Sequence, residues 1–358
     1  MNIIQIGAKV GTGKGIGKGN AGDTAIGTAF EYLFEKEFSP CTIEFMNCRK
    51  IYSVEDIDLI NKADVLFLSG GGLFLYDTFP NNVSDWQWGI SEELLDRIKI
   101  PIVVYSIGYN KFRKQRNFNN LFDKTVNKLV EKSVFFSMRN TGSCDAVKNH
   151  IDMSQYEKIH LNFCPTLRLN EKYKFKNLHL KKNVGFVFGG DRLSLRHPNI
   201  EHFFEQMNIF VNYLKKKNIE TILVNHLNDT WVNDHIQFDR SIDLFEKNSE
   251  YVYQKYSEID TVISDRGHGQ LIPLACGCKI LTPISHDKLS WFLKDVNLSN
   301  FGIEEGDPKL GEKLIQRYNE LCTLDWESIH KQIMNKIKKI NEKNIQIIKK
   351  ELEKPNSS

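Results

Sequence analysis

The sequence predicts an α/β protein made of two similar parallel-sheet domains facing a cleft, and three observations carry this. Its 358 residues exceed what one hydrophobic core usually organises and suit two domains of about 150 residues each. Short apolar runs rich in β-branched residues alternate with longer helical patterns, the order that builds parallel βαβ units. After a polar, lysine-rich stretch the same alternation starts again.

In the first half, residues 2–6, 42–47, 65–69, 102–107 and 134–138 read as strands. Residues 25–38, 53–61, 91–99, 118–132 and 140–149 read as the helices between them. A first domain over 1–170 follows, then a linker at 171–183 with little apolar periodicity. A second domain over 184–320 has strands at 184–188, 221–225, 261–264 and 279–283, with helices near 200–217, 249–257 and 270–276. Two Rossmann-like halves are the most economical architecture.

Residues 321–354 read as a basic amphipathic helix. Trp326, Ile329, Ile333, Ile337 and Ile340 recur at the spacing of a helical stripe. Lysines 331, 336, 338, 339, 343, 349, 350 and 354 face only Glu342, Glu351 and Glu353. Packing back on the body with a solvated lysine face is the favoured reading; peripheral contact with an anionic membrane surface is the other.

Composition is that of a soluble globular chain, 41% hydrophobic and 26% charged. A net charge of +3 and no aromatic-plus-basic stripe argue against nucleic acid. The start reads as a strand running into glycines rather than a signal peptide, and no apolar run approaches the roughly 20 residues that span a bilayer. Seven cysteines, an odd number, fit the reducing cytoplasm better than a disulfide framework. Cys276 and Cys278 form a lone CxC without a second pair, so no metal is expected.

Glycines crowd residues 11–22 after the first strand, where backbone must approach something closely or turn sharply. Neither Gly13-Lys14 nor Gly17-Lys18 satisfies the phosphate-loop spacing. Gly17, Gly19 and Gly22 pass a loose dinucleotide test with Glu44, although about ten residues separate them from the strand. A better reading takes Gly19-Asn20-Ala21-Gly22-Asp23 as a unit opening a helix near Thr24, with Asp23 or Thr24 as cap and the helix N-terminus receptive to a polar or anionic ligand.

That unit, with Asp64-Val65-Leu66-Phe67-Leu68-Ser69-Gly70-Gly71-Gly72, Ser137-Met138-Arg139-Asn140 and Ser264-Asp265-Arg266-Gly267-His268, resembles the polysaccharide pyruvyl transferases in residues, order and spacing. The likeness runs over about residues 3–300. It implies a fold like the GT-B glycosyltransferases, phosphoenolpyruvate as donor, a saccharide as acceptor, lipid- or nucleotide-linked, and a pyruvate ketal in surface-polysaccharide assembly. No cofactor is implied. The chain differs from the family's usual pattern at Gly267 (aliphatic), Asn140 (Asp) and Cys164 before Pro165 (Asp).

Phosphoenolpyruvate carries a phosphate of about −1.5 to −2 charges and a carboxylate, and arginine binds both bidentately. Arg266 and Arg139 follow predicted strands, at the carboxyl edge where open α/β sheets bind ligands. His268 suits proton transfer because imidazole titrates near working pH, acid first. Arg266 and His268 are thus the expected catalytic pair. Arg139, Gly71, Gly72, Asn20, Asp23, Arg192 and Lys288 are expected to bind substrate, Lys288 at a position where the family often has lysine. Arg196, His197, His226 and His286 lie on the same predicted edge, and Tyr76, Trp86 and Trp88 are either sugar platforms or core. Two rivals remain: a GT-B-like glycosyltransferase using a nucleotide sugar, and a non-catalytic dinucleotide sensor.

Overall fold

A computed structural model describes residues 1–8, 20–175, 182–227 and 229–354. Strands β1 (Asn2–Gly7), β2 (Thr42–Asn47), β3 (Val65–Phe74), β4 (Ile102–Tyr109), β5 (Ser133–Met138) and β6 (Ile159–Leu161) form one parallel sheet in the order β2-β1-β3-β4-β5-β6. Strands β7 (Asn183–Val187), β8 (Glu220–Asn225), β9 (Arg240–Asp243), β10 (Thr261–Ser264), β11 (Lys279–Ile284) and β12 (Gly302–Glu304) form a second, in the order β12-β11-β10-β7-β8-β9. The central strands are apolar along their length because helices cover both faces: Val65, Leu66, Phe67 and Leu68 are all fully buried.

Strand order reverses between β1 and β3 in the first sheet and between β7 and β10 in the second. At such reversals neighbouring crossovers leave on opposite faces, so a crevice opens beyond the carboxyl ends of the strands. Residues from both crevices line one cavity between the domains.

Three local features differ from expectation and each has a physical reason. The first long helix is Ala21–Glu37, four residues earlier than predicted, because Asn20 rather than Asp23 or Thr24 is the cap and accepts from Gly22 N at 2.9 Å. Strand β3 continues past Ser69 through the glycines, which the absence of side chains allows close to β4. The predicted C-terminal helix is preceded by another at Leu310–Thr323; the chain breaks at Leu324 and Asp325, and a 27-residue helix then runs Trp326–Leu352. Of the expected linker, Asn170–Tyr173 is a short helix and residues 176–181 lie outside the described residues, as do most of the glycine-rich loop and the tail at 355–358.

The long terminal helix returns to the first domain. Fully buried Asn341 accepts from Phe163 N and donates to Phe163 O, both at 3.0 Å, and Asn344 donates to Leu161 O at 2.8 Å. Ile333, Ile337, Ile345 and Ile348 are buried, so the apolar stripe is used on the body and the lysines face outward. No helix among the described residues is long and apolar enough to cross a membrane. All seven cysteines are free, and the buried Cys276 and Cys278 thiols donate to Tyr253 O and Tyr256 O.

Candidate active site

Beyond β10 the chain turns on Ser264, whose hydroxyl accepts from Arg266 N at 3.0 Å and donates to Arg266 O at 3.2 Å. This turn sends Arg266 and His268 into the cleft and starts the helix His268–Ala275, whose first turn has no side-chain cap on Gly267. The N-terminus of that helix therefore opens on the cavity, of about 380 Å³. Arg266 is 6% exposed. It donates to Asp229 at 2.8 Å and to Phe188 O at 3.1 Å, with Asp191 at 3.5 Å.

Asp265, fully buried, ties this turn to the rest of the domain. It accepts from Gly189 N at 2.8 Å and lies 3.0 Å from His197, whose other nitrogen is 3.1 Å from Glu305. Burial alone would lower the His197 pKa, but the two carboxylates outweigh it and raise it above the usual value. His197, on the predicted carboxyl edge, is buried behind the site between two carboxylates.

His268 lies against the first domain at Gly22. A Cβ on Gly22 would come within 2.4 Å of its Nδ1, so this glycine is required by the close approach of the imidazole. Its Nε2 lies 3.9 Å from the Cys164 thiol, the position where the resemblance leads one to expect aspartate. Burial pushes the thiol's pKa up, so it stays neutral and gives the imidazole no counter-charge. Burial first, then Arg139, Lys288 and Arg266, lower the His268 pKa to about 3. His268 is therefore neutral near neutral pH.

Arg139, 7% exposed, and Lys288 meet at Asn110. Arg139 donates to its Oδ1 at 3.4 Å, and Lys288 makes a short hydrogen bond to the same oxygen. Among the described residues neither cation pairs with a carboxylate. Burial lowers the pKa of both, and Arg139 and Arg196 depress Lys288 further. A neutral amide holding two enclosed basic groups leaves their charge uncompensated, an arrangement suited to an anion. Asn110 carries no distinguishing motif; only its place just past β4 at the carboxyl edge could have flagged it.

The other expected residues separate. Asn20, Asp23, Gly71 and Gly72 line the cavity; Gly71 has φ of +102°, a conformation other residues strongly disfavour. Arg192 also lines it, but its guanidinium is engaged bidentately across the domains by Asp77, at 2.7 and 2.6 Å, and by Asp191 at 2.9 Å. Burial pushes Asp191 up, yet Arg196, Arg266 and Arg192 outweigh it and hold its carboxyl well below the usual range. His226 lines the cavity, whereas His286 is buried and stacks on Phe112. Trp86 and Trp88 are fully buried core residues, and Tyr76 lies under the Arg116 guanidinium at 3.9 Å. Asn140 caps the helix Thr141–Lys148 by accepting from Ser143 N at 2.8 Å, a task amide and carboxylate share.

Two parallel six-stranded sheets meeting at a cleft lined with cations define a GT-B-like α/β protein. Solved structures of that fold agree. A UDP-GlcNAc 2-epimerase from Neisseria meningitidis has a TM-score of 0.58 at 12% identity, covering 98% of this chain and 99% of that one. A glycosyltransferase from Rickettsia africae has a TM-score of 0.55 at 13% identity, covering 99% of each, and MnaA from S. aureus 0.54 at 11%, covering 93% and 90%. No functionally curated protein matches the sequence significantly. Residues 20–288 match the polysaccharide pyruvyl transferases, and the chain belongs to that family.

Proposed function

We propose that the protein moves the pyruvyl carbons of phosphoenolpyruvate onto a saccharide as a ketal in surface-polysaccharide assembly. The observation that carries this is the pair of enclosed cations, Arg139 and Lys288, sharing one amide beside the neutral His268. A donor with a dianionic phosphate and a carboxylate matches that excess of positive charge. Arg266, from the same domain as Lys288, lines the same cavity.

The chemistry balances on protons this chain can handle, with no cofactor. A proton goes to the donor's methylene carbon and a sugar hydroxyl oxygen bonds to the neighbouring carbon. The carbon–oxygen bond to phosphate then breaks with its electron pair, and a second hydroxyl closes the ring. Two hydroxyl protons are given up; one ends in the methyl group and the other on phosphate. Burial is the largest cause of the low His268 pKa, and Arg139 and Lys288 add to it; an anion beside those two cations offsets their part, and His268 then serves as acid. Donor binding thus loads the acid, and Asp23 is the carboxylate in the cavity suited to receive an acceptor proton.

Calorimetric titration with phosphoenolpyruvate tests the donor. Arg139→Ala and Lys288→Ala are each expected to weaken binding about 10- to 100-fold, the worth of a charge-assisted hydrogen bond. Absence of binding by the wild type, alongside binding of a nucleotide sugar, would overturn the donor assignment.

A further inference from the structure

The thiol beside His268 is held in a fixed place. Cys164 follows β6, is 1% exposed, and its Sγ lies 3.9 Å from His268 Nε2. The segment that carries it is tied down from both domains. Asn341 pairs with both backbone groups of Phe163, and the Ser106 hydroxyl donates to Phe163 O at 3.1 Å. From the second domain Tyr253 donates to Thr166 O at 2.5 Å.

Hydrogen-bond direction decides what this thiol offers the imidazole. Thr166 Oγ1 donates to Sγ at 3.1 Å, so the sulfur is already an acceptor. Burial pushes the Cys164 pKa up, so the sulfur keeps its own proton. Among the described residues, His268 Nε2 is the other side-chain atom that Sγ meets at hydrogen-bonding distance. The S–H therefore points at Nε2, and a ring nitrogen that accepts a proton's approach does not itself carry one. That leaves the proton of the neutral ring on Nδ1, the nitrogen beside Gly22. The surrounding charges do not reverse this. Arg139 past β5, Lys288 on the helix Asp287–Asp295 and Arg266 in the histidine's own turn all oppose a second proton. His226 past β8 is buried, with its pKa well below the usual value. Asp23, on the helix packed against the ring, bears on Arg139.

We infer that Cys164, oriented by Thr166, is a positioning residue for the acid: it holds His268 neutral with its proton on Nδ1, so that a second proton enters from solvent when an anion occupies the cleft. The inference rests on the donor reading above, which makes that anion phosphoenolpyruvate. The second proton goes to Nε2, and the thiol turns its own proton away to admit it. A thiol is a weak donor, so this hold yields to the field of a bound anion. A carboxylate in the same place would do the opposite, drawing the ring proton to Nε2 and favouring the charged ring.

Nitrogen-15 histidine spectra at about pH 6, where an ordinary imidazole of pKa about 6.5 is mostly charged, test this, with the His268 signals assigned by their loss in His268→Gln. The ligand-free wild type is expected to show a neutral ring with its proton on Nδ1, and saturating phosphoenolpyruvate should convert it to the charged ring. Cys164→Ser, whose hydroxyl can donate in the same direction, should keep the wild-type pattern. Cys164→Ala should leave the proton divided between the two nitrogens, and Cys164→Asp should place a proton on Nε2 before any donor is added. A wild-type ring that is charged without ligand, that carries its proton on Nε2, or that stays neutral with phosphoenolpyruvate bound would overturn the inference. So would Cys164→Ala with the wild-type tautomer, which decides the matter even if Cys164→Asp does not fold. If calorimetry shows that phosphoenolpyruvate does not bind, the donor reading fails separately, and the ligand-free spectra of the wild type and Cys164→Ala still decide the role of the thiol.

Discussion

At the scale of single residues, the site is a set of close approaches that glycine permits and cations that burial perturbs. Gly22 is the sharpest case, because it belongs to one domain and the His268 ring that fills its missing side chain belongs to the other. Gly22→Ala adds a methyl where the imidazole lies, while alanine in a helix gains up to about 1 kcal/mol of intrinsic propensity over glycine. Stability should hold, with Tm within a few degrees of wild type, and kcat/KM should fall about 100-fold from misplacement of the histidine. Full activity in this variant would show that the ring position does not matter. Arg266, His268 and Arg139 were legible because each stands in a motif just beyond a strand. Asn110 was not, because nothing in its own type separates it from loop polar residues, and what marks it is a pair of partners distant in sequence.

Elements carry the positioning. The turn after β10 is held from behind by Asp265, and Asp265 by His197, which Glu305 also faces. Phe203 and Trp231 close round the imidazole, and Arg196 and Arg266 face the same aspartate. A histidine whose folded pKa is raised contributes stability that is complete below its unfolded value and is lost as pH rises through the folded one. The wild type should therefore lose kcat/KM and Tm together on the alkaline side. His197→Gln, which keeps one hydrogen bond without the charge, should start lower and lack that alkaline loss. An unchanged alkaline limb in the variant would remove His197 from the account. The long strands were readable from their apolar runs and the longer helices from their period. Strands β6, β9 and β12 were not: each has three or four residues, sits at a sheet edge, and reads Ile-His-Leu, Arg-Ser-Ile-Asp or Gly-Ile-Glu, with too little apolar sequence to signal a core strand. The terminal helix announced its stripe, but only the buried Asn341 and Asn344 reveal that its partner is the first domain.

For the molecule as a whole, catalysis and assembly use the same interface. Arg192 with Asp77, Arg113 with Asp287 and Glu304, and Thr141 with Asp295 tie the domains around the cleft. Arg139 and Asn110 come from the first domain, and Arg266, His268 and Lys288 from the second, so neither domain alone holds a complete site. That division follows from two sheets whose topological switch points face each other. The most direct measurement is acceptor-dependent phosphate release from phosphoenolpyruvate by the wild type, Arg139→Ala, Arg266→Ala and His268→Ala, each checked for folding, over a panel of diphosphate-linked and neutral saccharides. Release by the wild type with at least one saccharide, reduced at least 100-fold in each variant, is the predicted result. Release that persists in His268→Ala, or a wild type that neither binds nor consumes phosphoenolpyruvate, would contradict the account.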